Sequence, residues 1–170
     1  FFFFFVQIFA LDCYLIVKSI EKTKNLAKKA FGNSDIFLEK FIKNARHIEI
    51  QIFGFGEKKA VHFYERDCSI QRRFQKIIEE SPAPKIEPTI INKMAESAVS
   101  FATNQKYEGA GTIEFIYDID EKKFYFLEMN TRIQVEHPVT EAITNSDLVE
   151  MQIKFALDMD LDLIEQNNIN

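Results

Sequence analysis

The sequence predicts an α+β fold built on antiparallel hairpins, and three patterns carry that prediction. From His47 to Phe53 the chain alternates: Ile48, Ile50 and Ile52 point one way, His47, Glu49 and Gln51 the other, as a half-buried strand requires. Gly54-Phe55-Gly56-Glu57 then makes a turn, and the apolar stretch at 60–64 returns as the second strand of a hairpin. A later pair of strands, 111–117 and 123–129, is joined by a turn rich in Asp, Glu and Lys. Between the two hairpins, Pro88 opens a helix with Ile91, Met94, Ala95, Ala98, Val99 and Ala102 on one face.

The remaining elements follow in order. Residues 1–17 form an apolar segment interrupted by Gln7 and Asp12, and the chain starts with Phe1 to Phe5 rather than Met. A membrane helix needs about 20 apolar residues, and Asp12 would sit near its middle. The segment also lacks the basic start and small-residue cleavage site of a secretory signal. It reads as a segment foreign to the domain, and an exposed Phe run there would invite aggregation. From Ser19 to Phe31 the pattern is a basic amphipathic helix stopped by Gly32. Residues 36–41 read as a short strand, and a last helix is expected over 147–157 with Leu148, Met151, Gln152 and Phe155.

Composition excludes several classes. With 46% hydrophobic and 28% charged residues, five Gly and four Pro in 170 residues, the chain is neither disordered nor fibrous. A net charge of -5 argues against a general nucleic-acid binder. Cys13 and Cys68 cannot make a disulfide framework, and Cys68 has no ligand spacing.

The strongest chemical signal lies in the second hairpin. With a loop at 119–123, Glu114 faces Glu128, and Asn130 shares the face of Glu128. Like charges so placed destabilise a sheet unless a cation lies between them, and these hard oxygen donors suit Mg²⁺ or Mn²⁺. An arbitrary Glu pair is more often two solvated carboxylates; the apolar neighbours on both strands favour burial of both. Arg132 and Glu136 follow, four apart, in a segment that Pro138 keeps from being regular helix. Arg132 can grip an anion and Glu136 can take a proton, although such a pair is more often a salt bridge. The basic cluster Gln71-Arg72-Arg73-Phe74-Gln75-Lys76 reads as a loop that holds phosphate or bicarbonate, or one that is simply solvated. His47, taken alone, is more often a satisfied sheet histidine than a ligand.

Taken together, the chain resembles the ATP-grasp region of biotin carboxylase, the ATP-dependent component of acetyl-CoA, propionyl-CoA, methylcrotonyl-CoA, pyruvate and urea carboxylases. The carrying segments are 37–41 (Phe-Leu-Glu-Lys-Phe), 46–51, 65–73, 79–84, 109–115 and 126–141, in the family's order from about Ser19 to Leu163. The resemblance implies an incomplete ATP-grasp-type antiparallel sheet with flanking helices over residues 18–165, and a tail at 166–170. It implies metal ligands at Glu114, Glu128 and Asn130. Nucleotide contacts fall at Glu39, Lys40, Phe41, Ile42, His47 and Gln71, and at Phe74, where the family commonly has His or another polar residue. Bicarbonate falls to Lys76, Arg132 and Val135, with Glu136 as base and Arg132 steadying the biotin anion. The implied ligands and partners are ATP, Mg²⁺ or Mn²⁺, bicarbonate and biotin on a carrier domain, with a carboxyltransferase component and a homodimer of the intact domain. Neither nucleic acid nor a membrane is an expected partner, and the compartment is the cytoplasm or the mitochondrial matrix.

The family's upstream glycine-rich loop and N-terminal lobe have no counterpart here, nor does its downstream biotin-contacting Arg. The expectation is a central fragment with little or no activity alone. Two alternatives remain: a degenerate, non-catalytic module or truncated gene product, or another ATP-grasp ligase such as carbamoyl phosphate synthetase. The second would share the metal carboxylates but not the stretch from Arg132 to Glu141.

Overall fold

The computed structural model describes residues 13–37, 40–159 and 164–169. The chain divides into two compact units, Phe1–Phe41 and Ile42–Asn170. The first holds one described helix, α1 (Cys13–Phe31), which begins upstream of the expected Ser19. It stops where expected: Gly32 takes a φ of +74° and donates its N–H to the Lys28 carbonyl at 3.0 Å. Lys28 and Lys29 occupy the last turn, where positive charge suits the helix's negative end. The strand expected at 36–41 does not form among the described residues there. Every strand of the sheet comes from later in the chain, and an apolar run without a ladder partner remains irregular. The Phe1–Phe5 run, Gln7, Asp12 and Glu39 lie outside the described residues. Among the described residues no helix is long and apolar enough to cross a membrane.

The second unit runs β1 (Ala45–Phe55), β2 (Ala60–Arg72), β3 (Gln75–Glu80), α2 (Pro88–Asn104), β4 (Glu108–Asp118), β5 (Lys123–Asn130), α3 (His137–Thr144) and α4 (Leu148–Ala156). The strands make one antiparallel sheet in the order β3-β2-β1-β4-β5. Both expected hairpins form, with longer strands than the pattern alone indicates. β3 is an addition. The stretch read as a basic loop is a two-residue hairpin in which Arg73 (φ 51°) and Phe74 (φ 65°) are both left-handed. Pro138, expected only to prevent helix, sits in the first turn of α3, where a missing N–H costs nothing.

One face of the sheet is mainly apolar, with Glu65 and Asp67 of β2 its buried charged members. Ile48, Ile50, Ile52, Ile113, Phe115 and Tyr117 pack against Ile90, Met94, Ala95, Ala98 and Ala102 of α2. The three alanines bring the helix close to the sheet, and each buried Ile contributes about 1.5–3 kcal/mol. The opposite face is split. Phe53, Phe55, Val61, Phe63 and Ala110 cluster with Leu148 and Met151 of α4 at one end. At the other end the same face carries buried polar groups, Glu49, Gln51, Thr112, Glu114 and Arg66.

Two bulges set this division. In β2, Ile50 pairs with Glu65 but Ile52 with His62, so one extra residue is accommodated, and Tyr64 there takes a φ of 61°. Arg66 and Phe63 thereby reach the same face. In β5, Glu128 pairs with Glu114 but Phe126 pairs with Phe115, which leaves Leu127 as the extra residue. Phe126 is thus turned to α2, where it stacks on Phe101 at 5.5 Å, while Glu128 stays in register with Glu114. The expected 119–123 loop is shorter by one: Asp118 pairs with Lys123, and Asp118 Oδ1 accepts the N–H groups of Asp120 and Glu121 at 3.0 and 3.1 Å.

Candidate active site

Four strands contribute one side chain each to a single row across the sheet: Arg66 on β2, Glu49 on β1, Glu114 on β4 and Glu128 on β5. Glu49 and Glu114 stand directly opposite one another at 0% and 3% exposure. Two enclosed carboxylates in that relation are costly unless cations satisfy them. Arg66 Nε lies 2.5 Å from Glu49 Oε1. Lys76, carried in by β3, donates to Glu49 Oε2 at 2.5 Å, Glu114 Oε1 at 2.9 Å and Glu136 Oε1 at 3.1 Å. An ammonium has three N–H donors, and all three are in use.

Arg66 also ties the sheet to the segment after β5. Its Nη1 donates to Gln51 Oε1 at 2.9 Å and Thr140 Oγ1 at 2.7 Å, and its Nη2 to Gln134 Oε1 at 3.0 Å. Gln134 in turn donates to Glu114 Oε1 at 3.3 Å, and Asn130 Nδ2 donates to the same oxygen at 2.8 Å. The other Glu114 oxygen faces His47 Nε2 at 2.7 Å. Gln71 Nε2 lies 2.9 Å from His47 Nδ1 and donates to the Cys68 carbonyl at 2.8 Å.

These contacts set the ionisation. Burial alone would raise Glu114, but His47 and Lys76 outweigh it and bring its pKa down to about 2. Burial alone would lower the Lys76 ammonium, but Glu49 and Glu114 hold it well above the ordinary lysine range. Glu79 goes the other way: burial, reinforced by the charges of Glu136 and Glu49, lifts it to about 7. Burial, with Glu49 beside it, pushes the Cys68 thiol far up, which makes it a poor nucleophile.

Stability against pH follows from these signs. The Glu114 contribution is complete above its ordinary value of 4.5 and is lost as the pH falls from there towards 2. The Glu79 contribution is complete below 4.5 and is lost as the pH rises through about 7. Glu79 should therefore pull the urea midpoint down from pH 4.5 to 7, against the rise that buried His62 gives in the same range, and Glu79→Gln should remove that downward pull while leaving the acid limb intact. An unchanged profile over that range in Glu79→Gln would contradict the assignment.

The sequence-predicted residues are distributed unevenly. Glu114, Asn130, His47, Gln71, Lys76 and Glu136 converge. Glu128 is in register but exposed, which corrects the expectation that both glutamates are buried: as an edge strand, β5 has its side towards Glu128 uncovered. Arg132 is exposed and folds back onto the Ile133 carbonyl at 3.2 Å; it makes no ion pair with Glu136, which goes to Lys76 instead. Val135 and Phe74 are 91% and 88% exposed. Ile42 is partly buried, and Lys40 and Phe41 are exposed and belong to the first unit. Sequence reasoning missed Glu49, Arg66, Gln134 and Thr140. The signal for Glu49 and Gln51 was present: three polar residues on one face of a strand flanked by isoleucines need buried partners.

The family model for the carbamoyl-phosphate synthase L chain, ATP binding domain, matches residues 9–164. The chain belongs to this family. Its relatives include biotin carboxylases: Biotin carboxylase 1 of Bacillus subtilis (strain 168) is 49% identical over 152 residues, covering 89% of this chain and 34% of that protein. The biotin carboxylase domain of a thermophilic 2-oxoglutarate carboxylase bound to bicarbonate superposes with a TM-score of 0.84 at 44% identity, over 94% of this chain and 35% of that one. The corresponding domain dimer from Hydrogenobacter thermophilus, in complex with MgADP, ADP and bicarbonate, gives 0.79 at 44% identity, over 92% and 34%. The chain thus spans about a third of the length of these relatives. The likeness bears out the resemblance and the ATP-grasp-type antiparallel sheet expected from the sequence.

A divalent cation fits the ATP-binding domain's donor set. Glu114 and Glu128 are cross-strand partners, Asn130 Nδ2 bonds to Glu114, and Glu114 is held ionised, so hard carboxylate oxygens lie on two adjacent strands, those of Glu114 engaged by Lys76 and His47.

Proposed function

We propose that this chain is the central part, residues 18–165, of an ATP-grasp domain that carboxylates biotin with bicarbonate at the expense of ATP, within a biotin-dependent carboxylase. The observation that carries the proposal is the convergence of Glu114 and Glu136 on one ammonium, Lys76, at 2.9 and 3.1 Å. The contact supports a reading in which Glu114 takes a cation, Lys76 an anion and Glu136 a proton. Lys76, Arg132 and Val135 hold bicarbonate, and Glu136 takes its proton as an oxygen attacks the γ-phosphorus and the bond to the departing ADP breaks. Glu39, Lys40, Phe41, Ile42, His47 and Gln71 meet the nucleotide, and Phe74 offers a ring in place of a polar contact. Glu114, Glu128 and Asn130 hold Mg²⁺ or Mn²⁺, which when bound offsets charge on the phosphates. The carboxyphosphate so formed breaks down to CO₂ and phosphate; the ureido nitrogen of biotin on its carrier domain gives its proton to that phosphate and bonds the CO₂ while Arg132 steadies the biotin anion, and a carboxyltransferase component receives the product. The intact domain works as a homodimer in the cytoplasm or mitochondrial matrix.

The 170-residue chain alone should be inactive, since it spans a third of its relatives. Biotin-dependent ADP release tests both points. The chain alone should show none, and a longer protein containing it should turn over and lose about 10²–10⁴-fold with Glu136→Gln. Turnover by the short chain would refute the fragment proposal; an unaffected Glu136→Gln would remove the base. The exposed Phe74 favours a second reading, a non-catalytic module, and an inactive longer protein would select it.

A further inference from the structure

We infer that Lys76 is a built-in placeholder cation: a divalent cation arriving at Glu114 displaces its ammonium from that carboxylate, and the N–H so released becomes available to an anion. The inference rests on the proposed cation site and deepens it by coupling that site to anion binding.

The donor count drives it. Lys76 has three N–H groups, and Glu49, Glu114 and Glu136 take all of them. An incoming anion therefore finds no vacant donor on this lysine and must compete with a carboxylate for one. The three contacts differ in how readily they can be given up. Glu49 is fully buried and already bound to Arg66, so losing Lys76 would leave one enclosed oxygen unsatisfied. Glu136 has no other partner in the cluster than Lys76. Glu114 Oε1 alone is oversupplied, because Asn130 and Gln134 also donate to it, at 2.8 and 3.3 Å, and His47 covers its other oxygen. It is also the carboxylate that belongs to the cation's donor set. A cation there makes the Lys76–Glu114 contact repulsive on the lysine side, and that contact is the one to break. Thermodynamic reciprocity requires an anion on Lys76 to favour the cation on Glu114 in turn.

The test uses the full 170-residue chain with Mn²⁺ as the probe, free Mn²⁺ being counted by electron paramagnetic resonance. Lys76→Met should bind Mn²⁺ roughly tenfold or more tightly than the unsubstituted chain, because a unit charge a few Å away, acting through an effective dielectric of about 20, no longer competes. Glu114→Gln should abolish the binding. Lys76→Met leaves three carboxylates short of a cation and could fail to fold, so a second measurement leaves the chain unaltered. With ¹⁵N-labelled lysine, the shielded Lys76 ammonium signal should shift and exchange faster with water as Mg²⁺ is added, and ¹³C-bicarbonate binding should strengthen by roughly fivefold or more. Equal Mn²⁺ affinities in the two chains, or a Lys76 signal that stays put while calorimetry shows Mg²⁺ bound, would overturn the placeholder role alone. Absence of Mn²⁺ binding in the unsubstituted chain, or binding indifferent to Glu114→Gln, would overturn the cation site and the inference with it.

Discussion

Replacing Arg66 with alanine is expected to cost about 3–5 kcal/mol, the penalty for removing one partner of a buried ion pair. Set against the 5–15 kcal/mol typical of whole domains, that leaves the second unit marginal or unfolded. The reason is positional. Arg66 and Glu49 are both fully buried, and the guanidinium satisfies Glu49, Gln51, Thr140 and Gln134 together. Its removal strands a carboxylate beside a second one, Glu114, with Lys76 as their remaining shared cation. The charge, rather than the volume, should dominate. Arg66→Met combined with Glu49→Met should therefore recover a large part of the loss, whereas Arg66→Met alone should not. Urea unfolding of the three variants measures this. A cost under about 1 kcal/mol for Arg66→Ala would mean that water, not Arg66, satisfies Glu49.

The next largest effect is expected at Gly54, where a Cβ would stand 2.0 Å from the carbonyl oxygen of Tyr107 and 2.6 Å from its carbon. Both are backbone atoms, so no rotamer change relieves the clash. The Tyr107 carbonyl is also fixed from the other side, accepting the Gly56 N–H at 3.0 Å. Gly54→Ala must therefore push β1 away from the connection between α2 and β4, at about 3 kcal/mol, the upper end for overpacking. Gly109, its cross-strand partner, gives the contrast. There the φ of +87° is the obstacle, and the nearest atom to an added Cβ is a side-chain nitrogen at 3.9 Å. Gly109→Ala should cost about 1–2 kcal/mol, the strain of a left-handed residue. Thermal melts of both variants suffice, and equal losses would show that conformation, not crowding, governs Gly54.

The parts of this fold legible in the sequence are those where one local period suffices. The 47–53 alternation and the Pro88 helix follow from side-chain spacing, whereas Glu114 faces Glu128 because the bulge at Leu127 offsets a loop one residue shorter than expected. The parts that were not legible depend on partners remote in sequence. β3 was hidden because its turn, Arg73-Phe74, lacks the glycine or asparagine that normally marks two left-handed residues in succession. Arg66 was hidden in the charged run Glu65-Arg66-Asp67, which looks like a strand's exposed end. Yet all three are buried there: Arg66 on Glu49, Asp67 bonded to Arg46, and Glu65 accepting the Ala83 N–H at 3.0 Å. Likewise the spacing of Arg132 and Glu136 pointed to a mutual contact, whereas Glu136 turns to a lysine on β3, an element the pattern did not show.

The bulge at Leu127 has a consequence for how β5 can change in length. Phe124, Tyr125 and Phe126 are aligned with β4 in one phase, and Glu128, Met129 and Asn130 in another, with Leu127 the only residue between the two. Deleting Leu127 would bring the two phases into one without reassigning a single cross-strand partner, whereas deleting Phe126 or Glu128 would put Leu127 opposite Phe115 or Glu114 instead. β5 thus has one position at which a deletion is neutral to alignment, and it lies immediately before the acidic residue whose placement matters most.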